Sequence, residues 1–429
     1  MSERGKHRGV EIGRGSTIIT ATILFDIDFQ CCATRGADVT ANGSAMDTRA
    51  IDTHEGEADN RLVAESPFGR VAVIGAGAWG TALAMTAHRA GRRVSLWARE
   101  AEVVAGVARD RRNPFLPDHP LPPEIAVTGD MKQAVAQADL VILVVPSQFL
   151  RSMSRAVESV LAPGVPVVIC AKGIETDSGK LMSDIVAEEM PGRPQAVLSG
   201  PSFAAEVAEG QPTAVTIASE DAAGGADAAS SSLAAKICLA LGNESFRPYI
   251  SDDPVGVEVG GAVKNVLAIA CGIADGLGMG SNPRAALITR GLAELKRLAE
   301  ALGGRRETVT GLAGIGDLTL TCSSTQSRNF SFGRALGQGM TPEEALAGKK
   351  SVAEGAVNAR SVTQLARRLG VEMPICEAVN AILHDGLSIR DAVQALLTRP
   401  IKAESRELEP HVTLPHPSAA PAPQLNDMV

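Results

Sequence analysis

Residues 71–80 read VAVIGAGAWG, and this stretch decides the fold. Its first four residues are apolar and typical of a buried strand, and Gly75, Gly77 and Gly80 follow in the spacing G-x-G-x-x-G. A helix-like segment comes next, so the glycines stand where a strand turns into a helix. There Gly75 permits a tight turn, Gly77 lets the backbone approach a pyrophosphate, and Gly80 allows the helix to pack on the strand. Because the free N–H groups of a helix N-terminus attract phosphates, the stretch predicts a dinucleotide-binding domain.

The residues at the end of the next strand candidate indicate whether the dinucleotide is NAD(H) or NADP(H). Residues 96–100 read LWARE. A site selective for NAD often has an acidic residue here, which hydrogen-bonds the ribose 2′-hydroxyl. Arg99 instead suits the 2′-phosphate of NADP(H) or stacking on adenine, and Glu100 keeps NAD(H) open. We therefore expect NADP(H) or NAD(H), with NADPH favoured.

The hydrophobic pattern predicts an α/β domain followed by an all-α domain. Apolar runs typical of strands alternate with helix-like segments up to Asp253, which indicates a largely parallel sheet with crossover helices. The strand candidates are 71–74, 92–97, 125–127, 140–145, 165–170, 196–198, 214–217 and 246–250. The helix candidates after Asp253 are 255–274, 285–302, 328–336, 362–369, 375–383 and 389–397. We thus predict an α/β Rossmann domain with a mainly parallel sheet, followed by an all-α C-terminal domain.

Both ends of the chain differ from the region between them. The chain has 429 residues and a formal net charge of −8. Residues 1–69 show no sustained hydrophobic period, and residues 401–429 end in a proline-rich segment. We predict that 1–69 form a disordered extension, or result from a translation start assigned too early, and that 401–429 form a disordered tail. The folded part then divides into a dinucleotide-binding domain, 70–253, and a helical substrate and catalytic domain, 254–400.

The composition excludes several classes of protein. The chain has 41 Lys and Arg against 49 Asp and Glu, and only 3% of its residues are aromatic, so no nucleic-acid partner is expected. Its seven cysteines form no C-x-x-C and show no Cys/His ligand spacing. That pattern predicts neither disulfides nor a metal site, and it favours a cytoplasmic location. No run of 18 apolar residues exists, so we expect no integral membrane segment.

Lys264 is the candidate acid–base group of the helical region. An enzyme that oxidises an alcohol with a dinucleotide needs a base for the hydroxyl proton. Lys264 stands in a segment, 259–267, that is apolar nearly all round and is therefore predicted to be buried. No carboxylate stands three or four positions away, so within its own helix the lysine is unpaired. Burial would lower its pKa toward a useful value, although a lysine that extends to solvent at a helix end fits the same pattern.

Two short motifs further along the chain complete the candidate site. Asp317 stands between glycines and apolar residues in the sequence GIGDL. In the sequence QSRN, Ser327 is a candidate N-cap, and Arg328 together with helix N–H groups would hold a phosphate. Taken alone, Asp317 also fits an ordinary turn residue and Arg328 a solvated surface arginine.

Taken together and in this order, the motifs resemble those of the bacterial NAD(P)-dependent sn-glycerol-3-phosphate dehydrogenase family. The matching pieces are GAGAWG (75–80), VVPS (144–147), KGIE (172–175), SGPSFA (199–204), GVEVGGAVKN (256–265), ALITRGLAE (286–294), GIGDLTLTC (314–322), QSRN (326–329) and EMPI (372–375). The ordered set is far more specific than any one piece. The resemblance implies a Rossmann domain joined to a helical domain like that of 6-phosphogluconate dehydrogenase. It also implies reversible conversion of dihydroxyacetone phosphate to glycerol 3-phosphate, which supplies phospholipid synthesis.

The resemblance assigns roles to single residues as well. It implies that Lys264, in the GGxxKN motif, is the proton donor and acceptor. The residues expected at the substrate are Lys172, Gly200, Ser202, Lys264, Asn265, Asp317, Ser327, Arg328 and Asn329. The residues expected at the cofactor are Gly75, Gly77, Ala78, Trp79, Gly80, Arg99, Lys172, Ala204, Arg328, Val352 and Glu354. Ala78 stands where many relatives have a hydroxyl or amide residue, so only its backbone N–H would serve the pyrophosphate.

Three functions are therefore compatible with the sequence. The first is hydride transfer between NAD(P)(H) and a small phosphorylated three-carbon substrate. The second is another β-hydroxyacid dehydrogenase of the same architecture, whose substrate carries a carboxylate. The third is a protein that senses NAD(H) without turnover and needs neither Lys264 nor the anion site at 327–329. A homodimer stays an open prediction.

Overall fold

The computed structural model describes residues 67–347, 354–404 and 413–414. The described fold has two halves. The first contains strands and helices and ends at Ser251, and the second is mainly helical and starts at Pro254. The fold class predicted from the sequence is thus confirmed. Residues 1–66, most of 401–429 and Val352 lie outside the described residues, so the predictions for them stay predictions.

Eight strands of the described chain form one sheet. They are β1 (Arg70–Ile74), β2 (Arg93–Trp97), β3 (Ala126–Thr128), β4 (Leu140–Leu143), β5 (Val167–Ile169), β6 (Gln195–Ser199), β7 (Thr213–Ala218) and β8 (Phe246–Ser251). All eight predicted strands are confirmed. Their order is β3-β2-β1-β4-β5-β6-β7-β8, and every neighbouring pair is parallel except β6 with β7.

The central strands β1, β4, β5 and β6 are buried on both faces, which is why they are apolar rather than alternating, whereas the edge strands β3 and β8 are mostly exposed or half-buried. On β1, Val71 and Val73 belong to one core cluster, whereas Ala72 and Ile74 belong to another. Helices of this half cover the two faces. They are α1 (Ala78–Arg89), α2 (Ala101–Asp110), α3 (Met131–Val135), α4 (Leu150–Glu158), α5 (Met182–Glu189), α6 (Ala204–Glu209), α7 (Ala226–Ser231) and α8 (Leu233–Leu241) within the described residues. Among them, α7 buries none of its residues.

The strand order places a crevice at the carboxyl ends of β1 and β4. These two strands are neighbours, although β2 and β3 come between them in the chain. The connections therefore leave the centre of the sheet in opposite directions, which separates the loops after β1 and β4. Open α/β sheets bind their ligands at this kind of switch point.

The helical half is built around one buried helix, α9 (Pro254–Gly276). The other described helices are α10 (Ser281–Ala301), α11 (Asp317–Ser323), α12 (Arg328–Gly337), α13 (Pro342–Leu346), α14 (Glu354–Arg368), α15 (Pro374–His384) and α16 (Ile389–Leu397). Among the described helices, α9 alone is long and apolar enough to cross a membrane, and 94% of that apolar window is buried inside the protein. Its composition is therefore accounted for by its place in the core.

The helical half differs from the predictions in three places. The short helices α11 and α13 were not expected, and α14 begins at Glu354 instead of residue 362. Within the predicted tail, Ile401–Lys402 (β9) pairs antiparallel with Thr413–Leu414 (β10).

Candidate active site

The glycine turn after β1 is shaped to receive a phosphate group. Gly75 has a φ of 116°, which side-chain-bearing residues rarely adopt, and a Cβ there would overlap the carbonyl oxygen of Val144. A Cβ on Gly77 would meet nothing within 4 Å, so this backbone faces open space. Helix α1 starts immediately after Gly77, and no side chain caps its first N–H groups. These groups can therefore bind an anion, with Ala78 and Trp79 in the first turn.

Arg99 lies at the end of β2, beside an aromatic ring that the sequence analysis did not single out. Its guanidinium donates to Glu100 Oε1 at 2.9 and 3.1 Å. Its Cζ lies 5.7 Å from the ring centre of Phe149, which is 44% exposed, whereas Phe330 and Phe332 are buried. The sequence could have identified Phe149 by its position two residues after the VVPS motif in a chain this poor in aromatic residues. The arginine and the ring together offer a planar cationic surface beside the crevice.

The centre of the site is a carboxylate held between two lysines. Lys264 Nζ donates to Asp317 Oδ1 at 2.5 Å, and Lys172 Nζ donates to Asp317 Oδ2 at 2.7 Å. Lys264 also donates to Thr321 Oγ1 at 3.1 Å. Thr321 is one turn after Asp317 on the same face of α11, a spacing that could have identified it. Lys264 is thus unpaired within its own helix, as the sequence predicts, and its carboxylate partner comes from a different helix.

Burial and charge act in opposite directions on these groups. Burial lowers the pKa of Lys264 from 10.5 to about 8; Asp317 counteracts this effect and Lys172 adds to it. Burial acts to raise the pKa of the Asp317 carboxyl, but the two lysines hold it below its ordinary value. Asp317 therefore stays ionised, whereas Lys264 exchanges its proton near neutral pH, where a general acid–base group works best.

Close packing of backbones brings Asp317 to Lys264. A Cβ on Gly260 would overlap the carbonyl oxygen of Ala313, so only glycine lets α9 touch the turn at Leu312–Gly316. This π-helical turn leads directly into Asp317, the first residue of α11. The small residues around Lys264 thus place the carboxylate against the lysine.

A helix N-terminus lies at the edge of the same site. Ser327 caps α12, and its Oγ accepts from the N–H of Phe330 at 3.2 Å, as the sequence predicts. Arg328 follows as the first residue of the helix and is exposed. The Asn329 amide is already engaged, because it donates to Asn265 Oδ1 at 2.9 Å and accepts from the N–H of Gly355 at 3.0 Å. Asn329 and Asn265 therefore connect three helices with their side chains.

The remaining predicted residues lie around this centre. Gly200 follows β6 with a φ of 150°, and Ser202 donates to its carbonyl oxygen at 3.0 Å. Ala204 is the first residue of α6 and packs partly against the core of the sheet half. Burial raises the pKa of Glu354, and the charges of Arg328 and the two lysines partly offset this effect. In the described part of the chain, no group of His, Cys, Asp and Glu side chains is arranged to hold a metal ion.

Two protein-family profiles match the chain. The profile described as NAD-dependent glycerol-3-phosphate dehydrogenase N-terminus matches residues 70–224. The profile described as NAD-dependent glycerol-3-phosphate dehydrogenase C-terminus matches residues 253–394. The two matches cover both halves of the described fold.

Individual proteins agree with the profiles. A protein from Rhodospirillum rubrum is 52% identical over 335 residues, which are 78% of this chain and 93% of that protein. One from Caulobacter vibrioides is 55% identical over 339 residues, which are 79% of this chain and 99% of that protein. Both are named as glycerol-3-phosphate dehydrogenases that use NAD(P)+. The crystal structure of a glycerol-3-phosphate dehydrogenase from Coxiella burnetii is 41% identical, has a TM-score of 0.72, and covers 77% of this chain and 99% of its own.

Proposed function

The chain belongs to the NAD-dependent glycerol-3-phosphate dehydrogenase family, and from this premise we propose that Lys264, Asp317 and Lys172 form its catalytic centre. The enzyme is an oxidoreductase that interconverts dihydroxyacetone phosphate and sn-glycerol 3-phosphate with NAD(P)(H). Its product is the backbone of glycerophospholipids, so the reaction supplies phospholipid synthesis. The observation that carries the proposed centre is the buried carboxylate shared by two lysines, one from each half of the fold.

The glycine turn fits the cofactor. The uncapped N-terminus of α1 offers N–H groups to a pyrophosphate, and the open space beside Gly77 lets that group approach the backbone. When bound, NAD(P)H supplies the hydride that reduces C2 of dihydroxyacetone phosphate. Arg99 and Phe149 hold the adenosine end, where the guanidinium either pairs with a 2′-phosphate or stacks on adenine. The family resemblance also assigns Glu354 and Val352 to the cofactor.

Lys264 handles the proton of the reaction. In the direction of reduction, its ammonium group donates a proton to the alkoxide that develops at the substrate carbonyl. In the reverse direction, the neutral amine accepts the proton of the glycerol hydroxyl. A lysine with a pKa of about 8 exists in both forms at neutral pH, so it serves both directions.

Asp317 and Lys172 keep Lys264 in place. Asp317 fixes the ammonium group by a hydrogen bond of 2.5 Å and keeps enough positive charge on it for donation. Lys172 reaches the same carboxylate from the loop after β5 and presents a second ammonium group to substrate and cofactor. Gly200 and Ser202 line the substrate on the sheet side.

The phosphate of the substrate binds at the start of α12. Arg328 and the first N–H groups of that helix supply positive charge and donors. Ser327 and the Asn265–Asn329 pair hold the helix start in position. Binding the phosphate at one end fixes the carbonyl against Lys264, so the reacting groups meet in one orientation.

Turnover of a Lys264→Ala variant tests the proton role. We expect kcat for dihydroxyacetone phosphate reduction to fall about 10²–10⁴-fold, the usual range for a general acid–base group. Lys236→Ala, which removes an exposed lysine of α8, is the matched control and should keep full activity. Loss of NADPH absorbance measures the rate, and a Lys264→Ala enzyme as fast as the parent would contradict the assignment.

The same assay separates the enzyme from its rivals. We expect turnover with dihydroxyacetone phosphate and none with a β-keto acid that lacks phosphate, which is the substrate that a β-hydroxyacid dehydrogenase would reduce with NADPH. A carboxylate substrate that turned over equally well would favour the β-hydroxyacid dehydrogenase alternative. Binding of NAD(H) without any turnover would favour a sensing protein.

We also propose that the protein is cytoplasmic and forms a homodimer. Within each subunit, the boundary between the dinucleotide-binding domain and the helical domain lies between residues 253 and 254. The described cysteines, Cys170, Cys238, Cys271, Cys322 and Cys376, are all free. Free thiols are typical of a reducing compartment. Sedimentation equilibrium measures the subunit number, and a monomer at all concentrations would exclude the dimer.

A further inference from the structure

Asn358 is fully buried beside the catalytic centre, yet the proposed chemistry does not use it. It lies on α14, one turn after Glu354, and its side chain has no exposed surface. Its amide nitrogen donates to the carbonyl oxygen of Lys172 at 3.2 Å and to that of Ala262 at 3.4 Å. Ala262 precedes Lys264 on α9 by two positions. One side chain thus connects the two backbones that carry the lysines.

The oxygen of the same amide faces the loops of the sheet. A Cβ built on Gly173 would lie 2.9 Å from Asn358 Oδ1 and 2.5 Å from Ser147 Oγ. The amide therefore packs against the loop after β5 at Gly173, where Ser147 of the loop after β4 also lies. Asn358 Oδ1 has no hydrogen-bond donor among the described residues. Burying an amide whose oxygen lacks a donor lowers the stability of the folded state compared with an apolar side chain of similar size. The contribution of Asn358 therefore lies in its N–H donors.

One of those donors bonds the backbone of Lys172, whose side chain connects the two halves of the site. Lys172 leaves the sheet half and reaches Asp317 in the helical half with a hydrogen bond of 2.7 Å. How far its ammonium group extends depends on where its backbone lies relative to α9. Asn358 fixes that distance, because it bonds the Lys172 carbonyl while it packs against α9 itself.

We propose that Asn358 is a positioning residue that holds the Lys172 backbone against α9 and so sets the spacing of the two lysines on either side of Asp317. This proposal rests on the roles given above to Lys172 and Lys264. Without the amide donors, the loop after β5 moves relative to α9, and the two lysines no longer share the carboxylate in one geometry. A displacement of about 1 Å in such a site costs a rate factor of about 100.

An Asn358→Leu variant tests the proposal because it removes the donors while it keeps the branched shape and the number of heavy atoms of the side chain. We expect kcat/KM for dihydroxyacetone phosphate to fall about 10–100-fold while the enzyme stays folded. The pH at which the rate declines should also move, because Lys264 loses its set distance from its charged neighbours. An Asn358→Asp variant gives a second measurement. Its introduced carboxyl donates one hydrogen bond when protonated and none when ionised, so its rate relative to the parent should fall as pH rises.

Asn380→Leu is the matched control. Asn380 is also buried in a helix of the same half, and its Oδ1 likewise has no donor in the described residues. Its amide nitrogen donates to Asp385, away from the lysines. We expect this variant to lose a similar amount of thermal stability and to keep the kcat/KM and pH profile of the parent.

A double-mutant cycle with Lys172→Met separates this proposal from the proposed function. If Asn358 acts through Lys172, Asn358→Leu should add little to the loss that Lys172→Met already causes. Full additivity, an equal loss in Asn380→Leu, or parent kinetics in Asn358→Leu would each overturn the proposal. If Asn358→Leu does not fold, Asn358→Asp decides, and a rate ratio that is flat with pH overturns it. Parent activity in Lys172→Met would instead refute the proposed function.

Discussion

Replacing Asp317 by asparagine should move the pH dependence of the enzyme without changing the shape of the site. Asp317→Asn keeps the size of the side chain and removes its charge. The carboxylate now supports the ammonium form of Lys264 at a distance of 2.5 Å, against a burial effect that lowers the pKa of that lysine to about 8. Without the negative charge, burial and Lys172 both disfavour the ammonium form. The pKa of Lys264 must therefore fall further.

The geometry sets the size of this change. Two unit charges 4 Å apart interact with about 4 kcal/mol at an effective dielectric constant of about 20. One pKa unit corresponds to about 1.4 kcal/mol, so the lost attraction is worth up to about three units. The retained hydrogen bond and local rearrangement reduce this effect, and we expect the pKa of Lys264 to fall by about one to three units in Asp317→Asn. At pH 7.5, a lysine of pKa 8 is about three-quarters charged. With a pKa about two units lower, only about one lysine in thirty keeps its proton.

The assay is kcat/KM for dihydroxyacetone phosphate reduction between pH 5.5 and pH 9.5, which reports the ionisation of the free enzyme. The rate of the parent enzyme should decline as pH rises through about 8, because the proton donor is lost. In Asp317→Asn the same decline should occur at least one pH unit lower. The titration of the substrate phosphate affects both enzymes equally, so it cancels when kcat/KM of the variant is divided by that of the parent at each pH. A decline at the parent's pH would refute the assignment of Lys264 as the proton donor.

Asp275→Asn is the control for this experiment. Asp275 also lies on the helical half and pairs with two arginines, Arg284 at 3.4 Å and Arg334 at 3.3 Å. Removing its charge alters the net charge of the enzyme by the same amount but leaves the Lys264 environment intact. We expect the profile of this variant to match the parent, and circular dichroism to confirm that both variants are folded.

Three further outcomes follow from the site and its surroundings. Arg328→Ala should raise the KM for dihydroxyacetone phosphate about 10–100-fold, because a charge-assisted hydrogen bond is lost, with a smaller effect on kcat in steady-state assays; an unchanged KM would exclude the phosphate role. Arg99→Ala should raise the KM for NADPH about tenfold and that for NADH much less, since only NADPH offers a 2′-phosphate; equal increases would leave adenine stacking as its role. Glu294 accepts from the N–H groups of Ile375 and Cys376, and burial raises its pKa to about 7. The folded state therefore binds its proton more tightly than the unfolded state, so this carboxyl costs stability as pH rises from about 4.5 to 7. Glu294→Gln should raise the Tm at pH 8 relative to the parent and change it little at pH 4.5, and equal shifts at both pH values would contradict the assigned pKa.

The sheet was predictable because each strand carries its own signal. A parallel strand buried on both faces is a short apolar run, as in β1, β4 and β5, and all eight strands stand between turns and helix-like segments. The direction of β7 was not predictable, because an apolar run reads the same in a parallel and an antiparallel pair. The early start of α14 was missed for a related reason. Asn358 and Ser361 interrupt its apolar pattern before residue 362, yet both are buried.

The pairing at the active site lies beyond local sequence reasoning. Lys264 and Asp317 are 53 positions apart, and Lys172 and Asp317 are 145 apart. Helical periodicity identified Lys264 as buried, but it compares only neighbours within one helix. The carboxylate reaches the lysine through contact of two backbones at Gly260 and Ala313, which no spacing rule contains. The resemblance to a family brought the three residues together, and the structure supplies the physical reason.

In the proposed mechanism, the charges at the centre favour the transition state over the bound substrate. Two ammonium groups, the buried one of Lys264 and the half-buried one of Lys172, share the single carboxylate of Asp317. The site therefore has an excess of positive charge. A ketone substrate does not neutralise that excess at its carbonyl, whereas the alkoxide that forms during hydride transfer does. Because the lysines are already held in place by Asp317, this stabilisation requires little rearrangement at the moment of reaction.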